Sequence, residues 1–171
     1  MLVSLLRKVD KILTFLEKAV VSTLLLVAVA ILVIDIALRA LFGIALAWSA
    51  ELTRYSIVWL VFIGGAIGAR SGAHISIDAL GAVLSPYHAQ RLAQAAALIA
   101  AATTMLVAWF GWKLVVQMKQ FGQTSASLEV PMWAVYLAIP VGCMLMSLRF
   151  VQNAFFMSAD ARRLTVAQST A

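Results

Sequence analysis

Histidine and cysteine are nearly missing from this chain of 171 residues. The one cysteine, Cys143, rules out an intrachain disulfide and cannot supply a metal cluster. It lies inside an apolar block and reads as a small buried hydrophobe. The two histidines, His74 and His88, both fall in one connector between apolar blocks. A haem held within a membrane bundle needs a histidine in a span, so a cytochrome-type anchor is disfavoured. Two histidines and Asp78 spread over a connector make a poor zinc site. The chain also lacks a Gly-rich phosphate loop, GxSxG, HExxH and CxxC. No catalytic site, cofactor site or metal site is therefore expected.

Charge is scarce as well. Only 12% of residues are charged, about half the usual share, and acids number just 7. No acid lies deep in an apolar block, which disfavours a proton relay or a stand-alone exporter. The net charge of +6 would suggest nucleic acid in a soluble protein. Here the bases sit at the ends of apolar blocks, and no basic stripe interleaves with aromatics. The positive-inside bias of membrane proteins explains them better, and nucleic acid is excluded as a partner.

What the chain has in abundance is apolar sequence, at 64% hydrophobic. A soluble domain this small could not hide so much apolar surface. The apolar residues form four blocks: Ala19 to Phe42, Tyr55 to Ala69, Leu92 to Trp112, and Val130 to Leu148 with continuation to Met157. A helix needs about 20 residues to cross the hydrocarbon core. The second block is short, because only fifteen residues separate Arg54 from Arg70. It spans if Leu52 and Thr53 join it and both arginines snorkel; a re-entrant segment is the alternative. Spans are thus expected near 19–42, 52–69, 92–112 and 130–157, in a single four-span membrane domain covering 1–171.

The start of the chain invites comparison with a cleaved signal, since bases precede an apolar run and Ala45-Leu46-Ala47 resembles a cleavage site. The run is too long for that, and Asp35 and Arg39 precede the site, so an uncleaved anchor is expected. Leu2 to Lys18 carries apolar residues at helical spacing with bases opposite, which suits an amphipathic helix on a membrane surface. Residues 72–86 read as a second, shorter amphipathic piece in the interface, with Asp78 near its start. The fold class expected is an all-α integral membrane protein with four transmembrane helices plus N-terminal and connector amphipathic helices.

Counting bases orients it. Arg7, Lys8, Lys11, Lys18, Arg70, Arg91, Arg149, Arg162 and Arg163 fall on one side; Arg39, Arg54, Lys113 and Lys119 fall on the other. That imbalance places both termini in the cytoplasm. Trp109 and Trp112 beside Lys113, and Trp133 with Tyr136, read as belts at the outer interface. Small residues at 95–102, and Gly64, Gly65 and Gly68, permit close helix packing; Gly64 and Gly68 form a GxxxG, read as ordinary packing within the chain. Asp35 and Arg39 are spaced to pair on one helix face. Pro131 suits a first helical turn. Pro140 lies in mid-span, strips the Tyr136 carbonyl of its donor, and predicts a kink. Ser49 is placed to cap a helix starting at Ala50, with Glu51 in its first turn and Arg54 on the same face.

Several of these residues occur in an ordered set. Arg39 closes the first span. "WSAELTRYSIVWLVFIGGAIGAR" joins a W-x-x-E-x-x-R-Y block to a Gly/Ala-rich span. "HISIDAL" follows at His74 to Leu80, and "VPMWAVYLAIPVGCML" carries Pro131, Tyr136 and Pro140. This set, covering most of residues 35–150, resembles the small membrane subunit of tripartite ATP-independent periplasmic (TRAP) transporters, the DctQ-like family. The resemblance implies a lipid-embedded scaffold in the bacterial inner membrane. It implies two partners, a larger multi-span membrane subunit and a periplasmic substrate-binding protein. The large subunit would carry out sodium-coupled import of an organic anion such as a carboxylate by an elevator movement. It transfers no substrate-binding residue to this chain. Arg39, Glu51 and Arg54, with Arg70, His74 and Asp78 from the same blocks, are the candidate partner contacts. The small subunit of tripartite tricarboxylate transporters and a redox-complex membrane anchor are the competing readings.

Overall fold

The structure, a computed structural model, describes the backbone of residues 2–81 and 86–169 and the side chains of residues 10–69 and 88–155. Five helices follow one another: α1 (Leu2–Phe42), α2 (Ser49–Gly81), α3 (Pro86–Phe121), α4 (Met132–Tyr136) and α5 (Ala138–Ser169). Four helical stretches are long and apolar enough to cross a membrane among the described residues: Asp10–Phe42, Ser49–Ala69, His88–Phe121 and Met132–Phe155. The protein is thus all-α with four candidate spans, the class read from the sequence.

The amphipathic segments expected at 2–18 and 72–86 are helical where described, but they are not separate elements. The first runs without a break into the first span, and the second prolongs α2 as far as Gly81. α1 has 41 residues and is therefore about 62 Å long, roughly twice the hydrocarbon thickness.

α5 packs on both α2 and α3, and α1 lies against α2 alone among the described residues. The seam of α1 is regular. Asp10, Thr14, Glu17, Val21, Leu24, Ala28, Ile31, Asp35 and Leu38 are shielded and spaced alternately four and three residues apart, with Leu13 partly shielded beside Thr14. That 3.5-residue period is the seam of a left-handed helix pair. Between Asp10 and Lys18 the most buried residues, Thr14 and Glu17, are polar, whereas Ile12, Phe15 and Leu16 point away from the protein. The apolar face expected to lie on a membrane surface is turned outward, and the acids are turned in.

Close approaches between the core helices rest on small residues. A Cβ at Gly142 would stand 2.5–2.8 Å from Phe62, including its backbone, and one at Gly65 would stand 2.2 Å from Met146 Cε. Gly111 lies against Ile139 and Pro140. Ala97 and Ala101 are buried, and the Ser147 hydroxyl donates to the Ala101 carbonyl at 3.0 Å, joining α5 to α3. Gly64 and Gly68 behave differently: nothing lies within 4 Å of a Cβ at either. Their assignment to packing within the chain is corrected; in α2 it is Gly65, Ala66 and Ala69 that face neighbours or the core.

The proline effect appears as expected. α4 and α5 form one helix interrupted at Leu137. The Leu137 N–H bonds the Trp133 carbonyl at 3.0 Å, and the Val141 N–H bonds the Leu137 carbonyl at 3.2 Å. The helical pattern thus resumes beyond Pro140, and the missing bond is the one Pro140 would have donated to Tyr136. Pro131 stands at the N-cap of α4, in extended backbone, just ahead of the expected first turn. Cys143 is buried and free.

Candidate functional site: charged clusters at the two ends of the helices

The turns after α1 and α3 lie at the same end of the helices. α1 stops at Gly43, whose φ of 70° suits a residue without Cβ, and the Gly43 N–H bonds the Arg39 carbonyl at 3.1 Å. One turn earlier, Asp35 is buried and takes two donors. Its Oδ2 accepts from Arg39 Nη2 at 2.9 Å, and its Oδ1 accepts from the Leu46 N–H at 2.8 Å. The i,i+4 pair read from the sequence is therefore present, and it also pins the α1–α2 turn. Arg39 itself remains 62% exposed against 7% for Asp35, so its guanidinium has free edges.

Ser49 does not cap α2. Its hydroxyl donates to the Leu46 carbonyl at 2.9 Å, and the Leu52 N–H makes its bond to the Trp48 carbonyl at 3.0 Å. Glu51 lies in the first turn as expected, but its partner is not the neighbouring Arg54. Its carboxylate accepts the N–H groups of Ser127 at 3.2 Å and Leu128 at 3.3 Å in the loop between α3 and α4. That loop closes on itself: the Ser125 N–H bonds the Val130 carbonyl and the Met132 N–H bonds the Gln123 carbonyl, both at 2.9 Å. Glu129 sits at its exposed rim with φ of 53°, a left-handed conformation that costs a non-glycine residue free energy and persists only when neighbours hold it. Glu51 thus straps the α3–α4 loop onto the start of α2. Arg54 is exposed, and its guanidinium has no hydrogen-bond or ion-pair partner among the described residues.

Aromatics flank this end. Lys113 Nζ lies 5.6 Å from the Trp109 ring centre and 5.8 Å from that of Phe110. Lys119 Nζ lies 5.8 Å from the Trp133 ring centre. Trp109 and Trp112 are exposed, as belt residues must be. Arg70, His74 and Asp78 fall on the helical backbone of α2, but their side chains lie outside the described residues.

The opposite end holds a cluster that sequence reading missed. Arg149 of α5 is completely buried. Its guanidinium donates to both oxygens of Glu17, at 2.7 Å and 3.3 Å, and to Thr14 Oγ1 at 3.0 Å. It also meets the Asp10 carboxylate and Gln152 Oε1. Two carboxylates, a hydroxyl and an amide thus satisfy one planar fork, the geometry for which arginine is suited. The α1 residues involved are spaced on one seam, so Arg149 reaches α1 although α5 and α1 share no backbone packing among the described residues. Asn153, one turn on, donates to the Ala69 carbonyl of α2 at 3.1 Å. By sequence alone Arg149 counts only as a topology-setting base. The available signal was the acid pair Asp10 and Glu17, one heptad apart within a basic segment.

None of these groups forms an open, convergent set around a reacting position. The buried acids and Arg149 are already matched to one another, and Arg39 and Arg54 offer exposed cationic edges at the turn end.

Comparison with known proteins gives the chain a family. Over 113 residues, 66% of this chain, it is 40% identical to the C4-dicarboxylate TRAP transporter small permease protein DctQ of Rhodobacter capsulatus, covering 50% of that protein. Over 109 residues, 61% of this chain, it is 29% identical to the protein of the same description in Pseudomonas aeruginosa, covering 51% of it. The chain thus spans about half the length of the curated relatives it matches. Residues 28–158 match the profile of the family described as tripartite ATP-independent periplasmic transporters, DctQ component, and the chain belongs to that family.

Proposed function

We propose that this chain is the small, multi-pass scaffold subunit of a TRAP-type importer of C4-dicarboxylates, the substrate class for which its relatives are named. A larger membrane subunit carries the substrate and couples its entry to sodium. A periplasmic binding protein delivers the anion. The chain sits in the bacterial inner membrane with both termini in the cytoplasm, which puts the Glu51 end outside and the Arg149 end inside.

The observation that carries a scaffold role is how the charges are used. Arg149, Asp10 and Glu17 are tied to one another, and Glu51 is tied to a loop. They hold helices and turns in place rather than await a ligand. On this reading Arg39 and Arg54 meet the large subunit or the docked binding protein, and Glu51 contributes by presenting the Ser127–Leu128 loop. Arg70, His74 and Asp78 contact the large subunit from the inner side. The chain performs no covalent chemistry.

The test is affinity capture of the chain from its native membrane in mild detergent, followed by identification of what accompanies it. Recovery of a multi-span membrane subunit in constant ratio supports the reading. Recovery of a haem-bearing redox complex would replace it with the anchor alternative.

A further inference from the structure

The loop between α3 and α4 holds the Glu51 carboxylate loosely. The Ser127 N–H donates to both of its oxygens, at 3.3 and 3.2 Å, and the Leu128 N–H donates to one at 3.3 Å. The same kind of bond from the Leu46 N–H to Asp35 measures 2.8 Å, the length expected when the acceptor is ionised. The Ala126 amide and the Ser125 hydroxyl also face the Glu51 carboxylate. That hydroxyl is buried, and it makes no hydrogen bond among the described residues. Leaving a buried hydroxyl without a partner costs free energy. Three consecutive amides and one hydroxyl thus converge on a single place, a nest of donors suited to an anion. Glu51 occupies the nest without filling it. Its carboxylate is tethered to the first turn of α2, whereas the donors belong to a loop 76 residues on. It therefore cannot settle deeper unless α2 moves with it. Glu51 also has another partner within reach. Arg54 lies three residues on, exposed and without a hydrogen-bond or ion-pair partner among the described residues.

We propose that the loop from Ser125 to Leu128 is a binding site for a free carboxylate, and that Glu51 is its tethered placeholder. A free carboxylate enters the nest, shortens the bonds to the three amides and takes the Ser125 hydroxyl as a further donor. Glu51 swings to the Arg54 guanidinium, so one carboxylate gains a cation as another takes the amides. No charge is left without a partner by the exchange. Ala126, Ser127 and Glu129 are exposed, so the nest can be reached from outside the protein. Glu51 lowers the apparent affinity, because an incoming anion must displace it, and the site responds only where carboxylate is plentiful. The ligand class agrees with the dicarboxylates of the function proposed above. The site is argued from the loop alone, however, so this experiment and the capture experiment fail separately.

The experiment uses the full chain in micelles and follows the amide signals of Ser127 and Leu128 as succinate is added at constant ionic strength. Both signals should shift and saturate. Glu51→Gln removes the charge of the placeholder and should tighten succinate binding about tenfold. Adding Ser125→Ala to that variant should weaken binding again by about threefold. In Glu51→Ala, succinate should slow hydrogen exchange at the two amides, and sodium chloride should not. Unchanged exchange in the α5 core shows that each variant is folded. The proposal is overturned if the wild-type amides do not respond to succinate, or if Glu51→Gln binds it no more tightly than wild type. It is equally overturned if chloride or inorganic phosphate gives the same response, since the loop would then take any anion.

Discussion

Replacing Arg149 with alanine tests the packing logic where it is most demanding. The side chain is fully buried and is held by Glu17, Thr14, Asp10 and Gln152. Its removal leaves the carboxylate of Glu17, itself only 3% exposed, beside that of Asp10 without their cation. Breaking one side of a buried ion cluster costs about 3–5 kcal/mol, because the remaining charge keeps its desolvation penalty. That is roughly two to four orders of magnitude in the folding equilibrium. The damage should be local as well as global, because among the described residues α1 packs on α2 alone and Arg149 ties it to α5. Reversible unfolding in mixed micelles measures the first effect. Spin labels at Phe15 of α1 and Phe155 of α5, both exposed, measure the second through a broadened inter-helix distance. A triple variant, Arg149→Met with Glu17→Leu and Asp10→Asn, should recover most of the loss, since apolar replacement of a whole buried cluster is often neutral or better. Stability of Arg149→Ala within about 0.5 kcal/mol of wild type, with an unchanged distance, would mean that the cluster does not hold α1 against α5.

Other consequences are sharper in contrast than in size. Gly142→Ala drives a methyl into the Phe62 backbone and should destabilise by about 1–3 kcal/mol, whereas Gly64→Ala meets nothing and should be neutral. Thermal unfolding of the two variants side by side decides this. Glu51→Ala frees the Ser127 and Leu128 amides, so hydrogen exchange there should accelerate while the α5 core stays protected. Unchanged exchange would mean the loop holds its own shape. For topology, a cysteine at Ala126 should be labelled from the periplasmic side and one at Ser71 from the cytoplasmic side. Ala126 serves better than Ser125, which is buried. Labelling in the opposite sense would reverse the assignment of the two ends.

Several features were open to reading from sequence because they depend on local spacing. Four apolar blocks gave four candidate spans. Asp35 and Arg39 pair because positions four apart share a helix face. Pro140 interrupts its helix because the missing N–H is a property of the residue itself. What escaped depends on neighbours far along the chain. Arg149 looked like a base at a span end because its partners Glu17 and Asp10 lie 132 and 139 residues away. Glu51 seemed to belong with Arg54 by spacing, yet amide groups 76 and 77 residues on reach it first. Gly64 and Gly68 looked like a packing motif for this chain, but which side of α2 its neighbours occupy is set by tertiary arrangement. The amphipathic start is helical, but spacing alone did not reveal that its acids Asp10 and Glu17 have a partner in Arg149. In lipid the apolar face is the outer one, and the acids turn inward to meet a cation.

If the proposed function holds, dicarboxylate import requires this chain as a scaffold partner, and reconstituted uptake measures that requirement. Vesicles would contain the large subunit with or without this chain, a periplasmic binding protein loaded with labelled C4-dicarboxylate, and an inward sodium gradient. The expected result is uptake that needs the chain, the binding protein and the gradient together. Equal uptake in vesicles that lack the chain would mean that the large subunit works without it.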